Sequence, residues 1–311
     1  MGDVLARILE QAGWQVIRQP VKDGRFNVYA HRGAPDVVFS THLDTVPPYV
    51  PPTEDDEWLR GRGTCDAKGI AAAMIAAAER MVADGEQRLG LLFLVGEEDG
   101  SDGAHVSGAL HPKGRVLING EPTENRLTIG QKGVLRVSLT AHGRAAHSAY
   151  PAEGVSAIAA LLDTLGHIRA LPLPSHPILG DTTVNLGRIE GGVAPNVIAP
   201  LAEAQLLYRT VTDTAALRAA IVGSAPSGVE VVFPLEIPWV LSAPLPGWEA
   251  SIVSFASDLP FLASWGDRWQ LGPGSIRLAH TMEEGIRKAE LVQGVDLYVR
   301  LARQLLARSM A

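Results

Sequence analysis

Seven residues of this chain are of the types that could do chemistry together: His42, Asp44, Asp66, Glu97, Glu98, Glu121 and His280. His42 follows the apolar run Val37-Val38-Phe39, and Asp44 stands two residues after it. A histidine at a strand end can bind a metal, and a carboxylate two residues on can accept its other ring N–H, fixing tautomer and direction. Asp66 lies in the glycine-flanked turn Gly-Arg-Gly-Thr-Cys-Asp-Ala-Lys-Gly, at the mouth of an alanine-rich helix. Glu97 and Glu98 end the apolar run 89–95, Glu121 follows the run 116–118, and His280 follows the turn Gly272-Pro273-Gly274. Singly, each has a plain explanation: a histidine in a turn, an aspartate capping a helix, a solvated acidic strand end. The recurrence argues for more, because ligands in open α/β sheets bind beyond the carboxyl ends of the strands.

Two histidines with several carboxylates form a ligand set suited to zinc, with cobalt or manganese as substitutes. Five ligands, His42, Asp66, Glu98, Glu121 and His280, are too many for one tetrahedral zinc with an open position. They suit two metals about 3.5–4 Å apart sharing a bridging carboxylate, and Asp66 in its constrained turn is the natural bridge. Such a pair can lower the pKa of water from 15.7 to roughly 7. At about 1.36 kcal/mol per unit, that makes hydroxide cheaper by roughly 12 kcal/mol. A general base must still hold and pass the proton, and the adjacent Glu97 and Glu98 can point to different sides of the chain.

The elements that position these residues are legible as apolar patterns. Residues 4–13 have helical spacing and stop at a glycine, and 16–17 and 26–29 read as short strands turned by Asp23-Gly24. A buried strand delivers His42, and the proline-rich acidic stretch 47–57 reads as a surface loop. A helix is expected over 68–83, then buried strands over 89–95 and 116–118. From Val134 the character changes to strict alternation, Leu135, Val137, Leu139 and Ala141 against Arg136, Ser138 and Thr140, the mark of a half-buried antiparallel strand. A helix over 154–168, strands over 183–189 and 202–209, a helix over 214–222 and a strand over 229–233 follow. That order, β-α-β-β-α-β, is the ferredoxin-like arrangement, inserted into the first domain. The domains are accordingly 1–132 with 238–311, and 133–237. After the insertion, 248–263 reads as a helix, 269–271 as a strand and 283–307 as a long amphipathic helix.

The 311 residues carry a net charge of −7 with no basic stripe, which argues against nucleic acid as a partner. One cysteine, Cys65, excludes an internal disulfide framework and fits a reducing, cytoplasmic setting. No apolar run is long enough to span a bilayer, and the first residues lack the layout of a signal peptide. The expectation is a cytoplasmic α/β protein with no membrane partner.

The motifs Ser-Thr-His-Leu-Asp-Thr-Val-Pro, Gly-Arg-Gly-Thr-Cys-Asp-Ala-Lys-Gly, Gly-Glu-Glu-Asp-Gly, Gly-Glu-Pro-Thr and Gly-Pro-Gly-Ser-Ile-(x)2-Ala-His-Thr, in order along nearly the whole chain, resemble one family. It is the dinuclear zinc amidohydrolases and metallopeptidases that include acetylornithine deacetylase, succinyl-diaminopimelate desuccinylase, aminoacylase and glutamate carboxypeptidase. The resemblance implies a zinc-exopeptidase-like catalytic domain, with a central mixed sheet flanked by helices, and an inserted ferredoxin-like lid and dimerisation domain. It implies two Zn2+ (Co2+ or Mn2+ as substitutes) on His42, Asp66 (bridging), Glu98, Glu121 and His280. Glu97 becomes the general base, Asp44 the partner of the His42 ring, and the Asp66–Ala67 peptide is cis. In the lid, His142-Gly-Arg-Ala-Ala-His147 resembles a motif whose second histidine, His147, holds the oxyanion, often in the partner subunit's site. Asn196 and Arg209 resemble the grip on a substrate carboxylate, for which an arginine fork is suited. The six other histidines and Cys65 read as structural or surface residues.

There are departures: relative to that family the chain starts inside the first helix, the segment before Gly272 is short, and Ala199 replaces a common proline. A less stable first domain is the expectation. The implied activity is hydrolysis of an amide in a small N-acyl amino acid or short peptide by a homodimer joined through the lid. The Glu-Glu-Asp-Gly and Leu-Gly-Pro-Gly-Ser-Ile stretches favour an acetylornithine- or acetyl-lysine-type deacetylase, with carboxypeptidase, dipeptidase or desuccinylase as the alternative. The competitor from another class is an inactive binding protein of the same fold, whose mark would be a missing ligand or base. Every such position here is filled.

Overall fold

In the computed structural model, which describes residues 1–308, the chain divides into two units. The first comprises Met1–Ile129, Leu241–Val253 and the chain from Ser257 on; the second comprises Gly130–Val240 with Ser254–Ala256.

The first unit is built on a mixed sheet. Its strands run in the order Gln15–Pro20, Phe26–His31, Leu89–Leu94, Val37–His42, Val116–Asn119, Asp267–Gln270 and Leu127–Gln131, with Ala250–Val253 beside the last. Val37–His42 is buried at every position and lies parallel to both neighbours, pairing His42 with Leu94 and Ser40 with Asn119. Continuous burial is what a parallel strand covered on both faces requires, and it explains the unbroken apolar runs. Asp267–Gln270 joins parallel to Val116–Asn119. Four parallel strands in this register end at one edge, so the loops after His42, Leu94, Asn119 and Gln270 leave it together.

The helix Lys68–Ala83 buries Ile70, Ala73, Met74, Ala77 and Met81 in the same core as Phe39, Ile118, Tyr298 and Leu301. Its small alanines let it lie close to both the sheet and the helix Lys288–Arg308. The approach is tightest at Gly120, where an added Cβ would stand 2.4 Å from Ile70 Cγ2 and 2.6 Å from Met74 Cε.

The second unit has the β-α-β-β-α-β order. Its antiparallel sheet runs Thr183–Gly191, Leu201–Thr210, Gly133–His142, Val229–Ile237. Leu135, Val137 and Leu139 point into a core shared with Leu161, Leu165, Leu206, Tyr208 and Ile221. The helix Ala157–Arg169 starts at Ser156, whose hydroxyl accepts from the Ala159 N–H. Thr183–Gly191 is an edge strand exposed along its whole length, Val184, Leu186 and Ile189 included.

Two expected helices differ. Residues 248–263 form no single helix: Ala250–Val253 is a strand, and Leu259–Trp265 a 3-10 segment with a kink at Leu262. A short apolar run is ambiguous by periodicity alone, and pairing beside Leu127–Gln131 resolves this one as a strand. The last helix begins at Lys288 rather than Glu283, because Gly285–Arg287 pairs with Trp58–Arg60.

Gly120→Ala is expected to overpack this contact at a cost of about 1–3 kcal/mol. Thermal unfolding should then shift down by roughly 2–4 °C per kcal/mol.

Candidate metal centre

The parallel register brings His42, Glu97, Glu98 and Glu121 to one edge of the sheet. His42 is the last residue of its strand and is 1% exposed. The Thr41 hydroxyl donates to the Gly120 carbonyl at 2.8 Å, tying this strand end to the loop that carries Glu121. His280 is a non-glycine residue at φ +65°, a conformation that aims its ring back from the turn after Gly272-Pro273-Gly274.

The Asp66 carboxylate lies between the two imidazoles. Its Oδ1 is 2.9 Å from His42 Nε2, and its Oδ2 is 3.3 Å from His280 Nε2. Glu98 joins on the His280 side, with Oε2 3.1 Å from Nε2. The donor atoms of His42, Asp66 and Glu98 all lie within 4.8 Å of one another. Glu121, 4% exposed, belongs electrostatically to the His42 side. The Asp66–Ala67 peptide is cis.

The charges reflect the crowding. Burial pushes Glu97 up to about 8, with His42 opposing and Asp258, Asp66 and Glu98 adding to the rise. Burial likewise raises Glu98, and Glu121 well above the usual carboxylate range. Burial also opposes ionisation of Asp66, yet hydrogen bonds from His280 and His42 hold it below that range. His280 rises to about 9, chiefly through its hydrogen bond to Asp66. Burial disfavours a charged His42, but the Asp66 hydrogen bond and the neighbouring carboxylates carry its pKa well above the ordinary value. Four buried or half-buried acid and imidazole groups around the Asp66 carboxylate make a donor set whose chemistry suits divalent cations. His42 faces one oxygen of Asp66, with Glu121 acting on it electrostatically, and His280 faces the other oxygen, with Glu98 beside it.

Asp44 does something different from the sequence expectation. The His42 Nδ1 is 3.1 Å from the Asp44 backbone carbonyl, while the carboxylate stands at 3.7 Å. That carboxylate accepts from the backbone N–H of Gly96 at 2.9 Å, Glu97 at 3.3 Å and Glu98 at 3.1 Å. It caps the 3-10 turn Glu97–Asp99, much as an acidic residue satisfies the orphan donors of a helix start. The turn itself needs the left-handed Gly96 and Gly100, at φ +80° and +96°.

Sequence reasoning missed three residues packed around the site. Asp258 is 2% exposed and pushed up to about 6 by burial; it was hidden in a stretch read as helix. Arg62 and Glu284 form a buried ion pair beside Asp66. Their only signals were a charged residue between two glycines and a glutamate four residues after His280.

In the second unit, His147 and Asn196 are brought together and Arg209 is not. The His147 strand residue bridges Val197, and the Ser148 N–H donates to the Asn196 carbonyl at 3.0 Å. Both side chains' residues are exposed. Arg209 stands at the other end of its strand, opposite Val134, whereas Leu201 stands opposite His142. Eight residues of strand separate Leu201 from Arg209, about 26 Å.

Residues 129–222 match a family model described as the peptidase dimerisation domain. A peptidase M20 domain-containing protein of Schizosaccharomyces pombe is 38% identical, over 97% of this chain and 78% of its own length. A probable carboxypeptidase of Aspergillus terreus is also 38% identical, over 96% of this chain and 80% of its own. Among solved structures, aminopeptidase PepT from Bacillus cereus superposes with a TM-score of 0.80 at 21% identity, covering 98% of this chain and 92% of that one. An M20 family metallo-carboxypeptidase from Sulfolobus solfataricus gives 0.77 at 15% identity, covering 98% and 93%. These structural likenesses establish the fold.

Asp44→Asn should disturb the Glu97–Glu98 turn. Turnover is expected to fall about 10–100-fold with bound metal retained, as read by steady-state kinetics and metal analysis.

Proposed function

This chain belongs to the peptidase M20 family, a hydrolase of amide bonds, and from that premise we propose that it is a carboxypeptidase- or dipeptidase-type metalloenzyme acting on short peptides with a free carboxylate. The observation that carries the reading is the Asp66 carboxylate, with one oxygen toward each of two histidines, one at a strand end and one more than two hundred residues further on. The names of its relatives, probable carboxypeptidases, support the peptidase reading over the deacetylase that the sequence motifs favoured.

His42, Asp66 and Glu121 would hold one metal, and Asp66, Glu98 and His280 the other; zinc suits this set, with cobalt or manganese as substitutes. When bound, the pair would acidify water and polarise the scissile carbonyl. Glu97 takes the proton of the attacking water and returns it to the departing amine nitrogen. Its carboxylate sits beside the candidate ligands, where it can take and return that proton. Asp44 holds Glu97 in place through the backbone of its turn. His147 donates to the oxyanion of the tetrahedral intermediate. Arg209, whose side chain has no ion-pair or hydrogen-bond partner among the described residues, takes the substrate carboxylate.

The lid geometry supports a homodimer. An extended dipeptide spans at most about 7 Å, far less than the strand length between the Asn196 loop and Arg209. That separation favours a set in which His147 and Asn196 come from one chain and Arg209 from another. On this reading the joint grip of Asn196 and Arg209 expected from the sequence spans two chains. The apolar, unpaired edge strand Thr183–Gly191 is the kind of surface that pairing between two copies covers.

Metal-stripped protein should be assayed on dipeptides, C-terminally amidated dipeptides and N-acetyl amino acids, with and without added zinc or cobalt. Metal-dependent cleavage restricted to free carboxylates is expected, and Glu97→Ala should lose about 10²–10⁴-fold in turnover. Hydrolysis of N-acetyl amino acids alone would return the protein to the deacetylase reading, and absence of bound metal would sink both. Mixing inactive Glu97→Ala and His147→Ala proteins should restore roughly a quarter of wild-type turnover, because half the randomly exchanged two-fold dimers would hold one intact site. No recovery after verified exchange would exclude a site shared between subunits.

A further inference from the structure

We propose that Glu284, ion-paired with Arg62, is a positioning residue that sets the spacing of Asp66 and His280 and thereby the affinity of the site for metal. The inference rests on the metal-site reading above and adds to it a group that is not a ligand. The Glu284 carboxylate is fully buried, with the Arg62 side chain only 2% exposed. Its two oxygens have separate tasks. Oε1 accepts from the backbone N–H of Gly63 at 2.8 Å, Cys65 at 3.3 Å and Asp66 at 3.2 Å. Oε2 takes the Arg62 guanidinium. Arg62 in turn donates from Nε to the Pro48 carbonyl at 3.2 Å, and its backbone N–H donates to Val50 at 3.1 Å. The Glu284 backbone carbonyl accepts from Gly61 at 2.8 Å.

Three segments thus meet at this ion pair: the loop that follows His42, through Arg62, and the turn that carries Asp66 and the segment that carries His280, through Glu284. A buried ion pair is seldom the most stable filling of such a space, since apolar groups of equal volume serve as well. Here it is not even fully satisfied, because Arg62 Nη2 is buried without a partner. What only a carboxylate supplies is acceptor capacity for three converging N–H groups together with a counter-charge for the arginine. A glutamine keeps the shape but turns its amide N–H toward the N–H groups of either the turn or the arginine, and in both cases leaves Arg62 as an uncompensated buried cation. The consequence falls on the turn whose last residue is the shared ligand.

The test uses cobalt(II) alone as probe, with the full chain stripped of metal, folding verified by circular dichroism, and binding measured by equilibrium dialysis and visible absorption. Folded Glu284→Gln is expected to bind cobalt about 10–100-fold more weakly than wild type, the usual loss when a partner behind a metal ligand is removed, with a changed cobalt spectrum. A merely structural role would lower the unfolding temperature and leave cobalt affinity and spectrum unchanged, which would overturn the proposal. If Glu284→Gln does not fold, Arg62→Lys is read by the same dialysis: it keeps the charge and loses the fork, so weaker cobalt binding supports the proposal and unchanged binding overturns it. Wild-type protein that binds no cobalt would fail the metal-site reading itself and take this inference with it. Two-site binding in wild type with an unaltered variant sinks this inference alone.

Discussion

One carboxylate facing two imidazoles is the constraint around which the first unit is organised. For Asp66 to present Oδ1 to His42 and Oδ2 to His280, a strand end, a glycine-rich turn and a segment more than two hundred residues further on must hold their places within tenths of an ångström. Short donor–acceptor distances tolerate no more. The parallel sheet supplies the first of these positions, since strands in common register end together. The close approach of the alanine-rich helix at Gly120 supplies the second, by carrying the Asp66 turn on a helix that cannot move away from the sheet end.

Gathering acids and histidines this way costs free energy, because each charge loses water and neighbouring carboxylates repel. The raised Glu97, Glu98 and Glu121 express that cost. A divalent cation would offset it, so the same crowding that burdens the metal-free chain is what suits it to a cation. The surrounding groups keep the acids from relaxing apart. Asp44 spends its carboxylate on the backbone of the Glu97–Glu98 turn, and Glu284 spends its own on the backbone of the Asp66 turn. Both hold a turn through its main chain.

The second unit contributes by what one copy of it cannot do. Its sheet separates the His147–Asn196 end from Arg209 by most of a strand's length. On the proposed roles of these residues, a small substrate would meet both ends only where a second chain supplies one of them. A four-stranded sheet with one long, exposed, apolar-studded edge is a surface natural proteins rarely leave uncovered.

Much of this was legible in the sequence. The unbroken apolar runs before His42, Glu97 and Glu121 meant buried strands, and residue type with strand-end position named the five candidate ligands. Alternation from Val134 revealed the inserted module. Those signals are local, and local patterns survive reading along a line. The misread helix at 248–263 lay in an apolar run whose state was decided by a neighbour in space. The roles of Asp44 and Glu284 were likewise out of reach, because a carboxylate's partner is whichever donor the fold delivers. The Arg62–Glu284 contact spans 222 residues, and no spacing rule operates over that distance. The sequence by itself determined which chemical groups the protein has and the order of elements that carries them. Only the tertiary structure decided which group meets which, because hydrogen bonds and ion pairs form between neighbours in space, and register and helix packing set those neighbours.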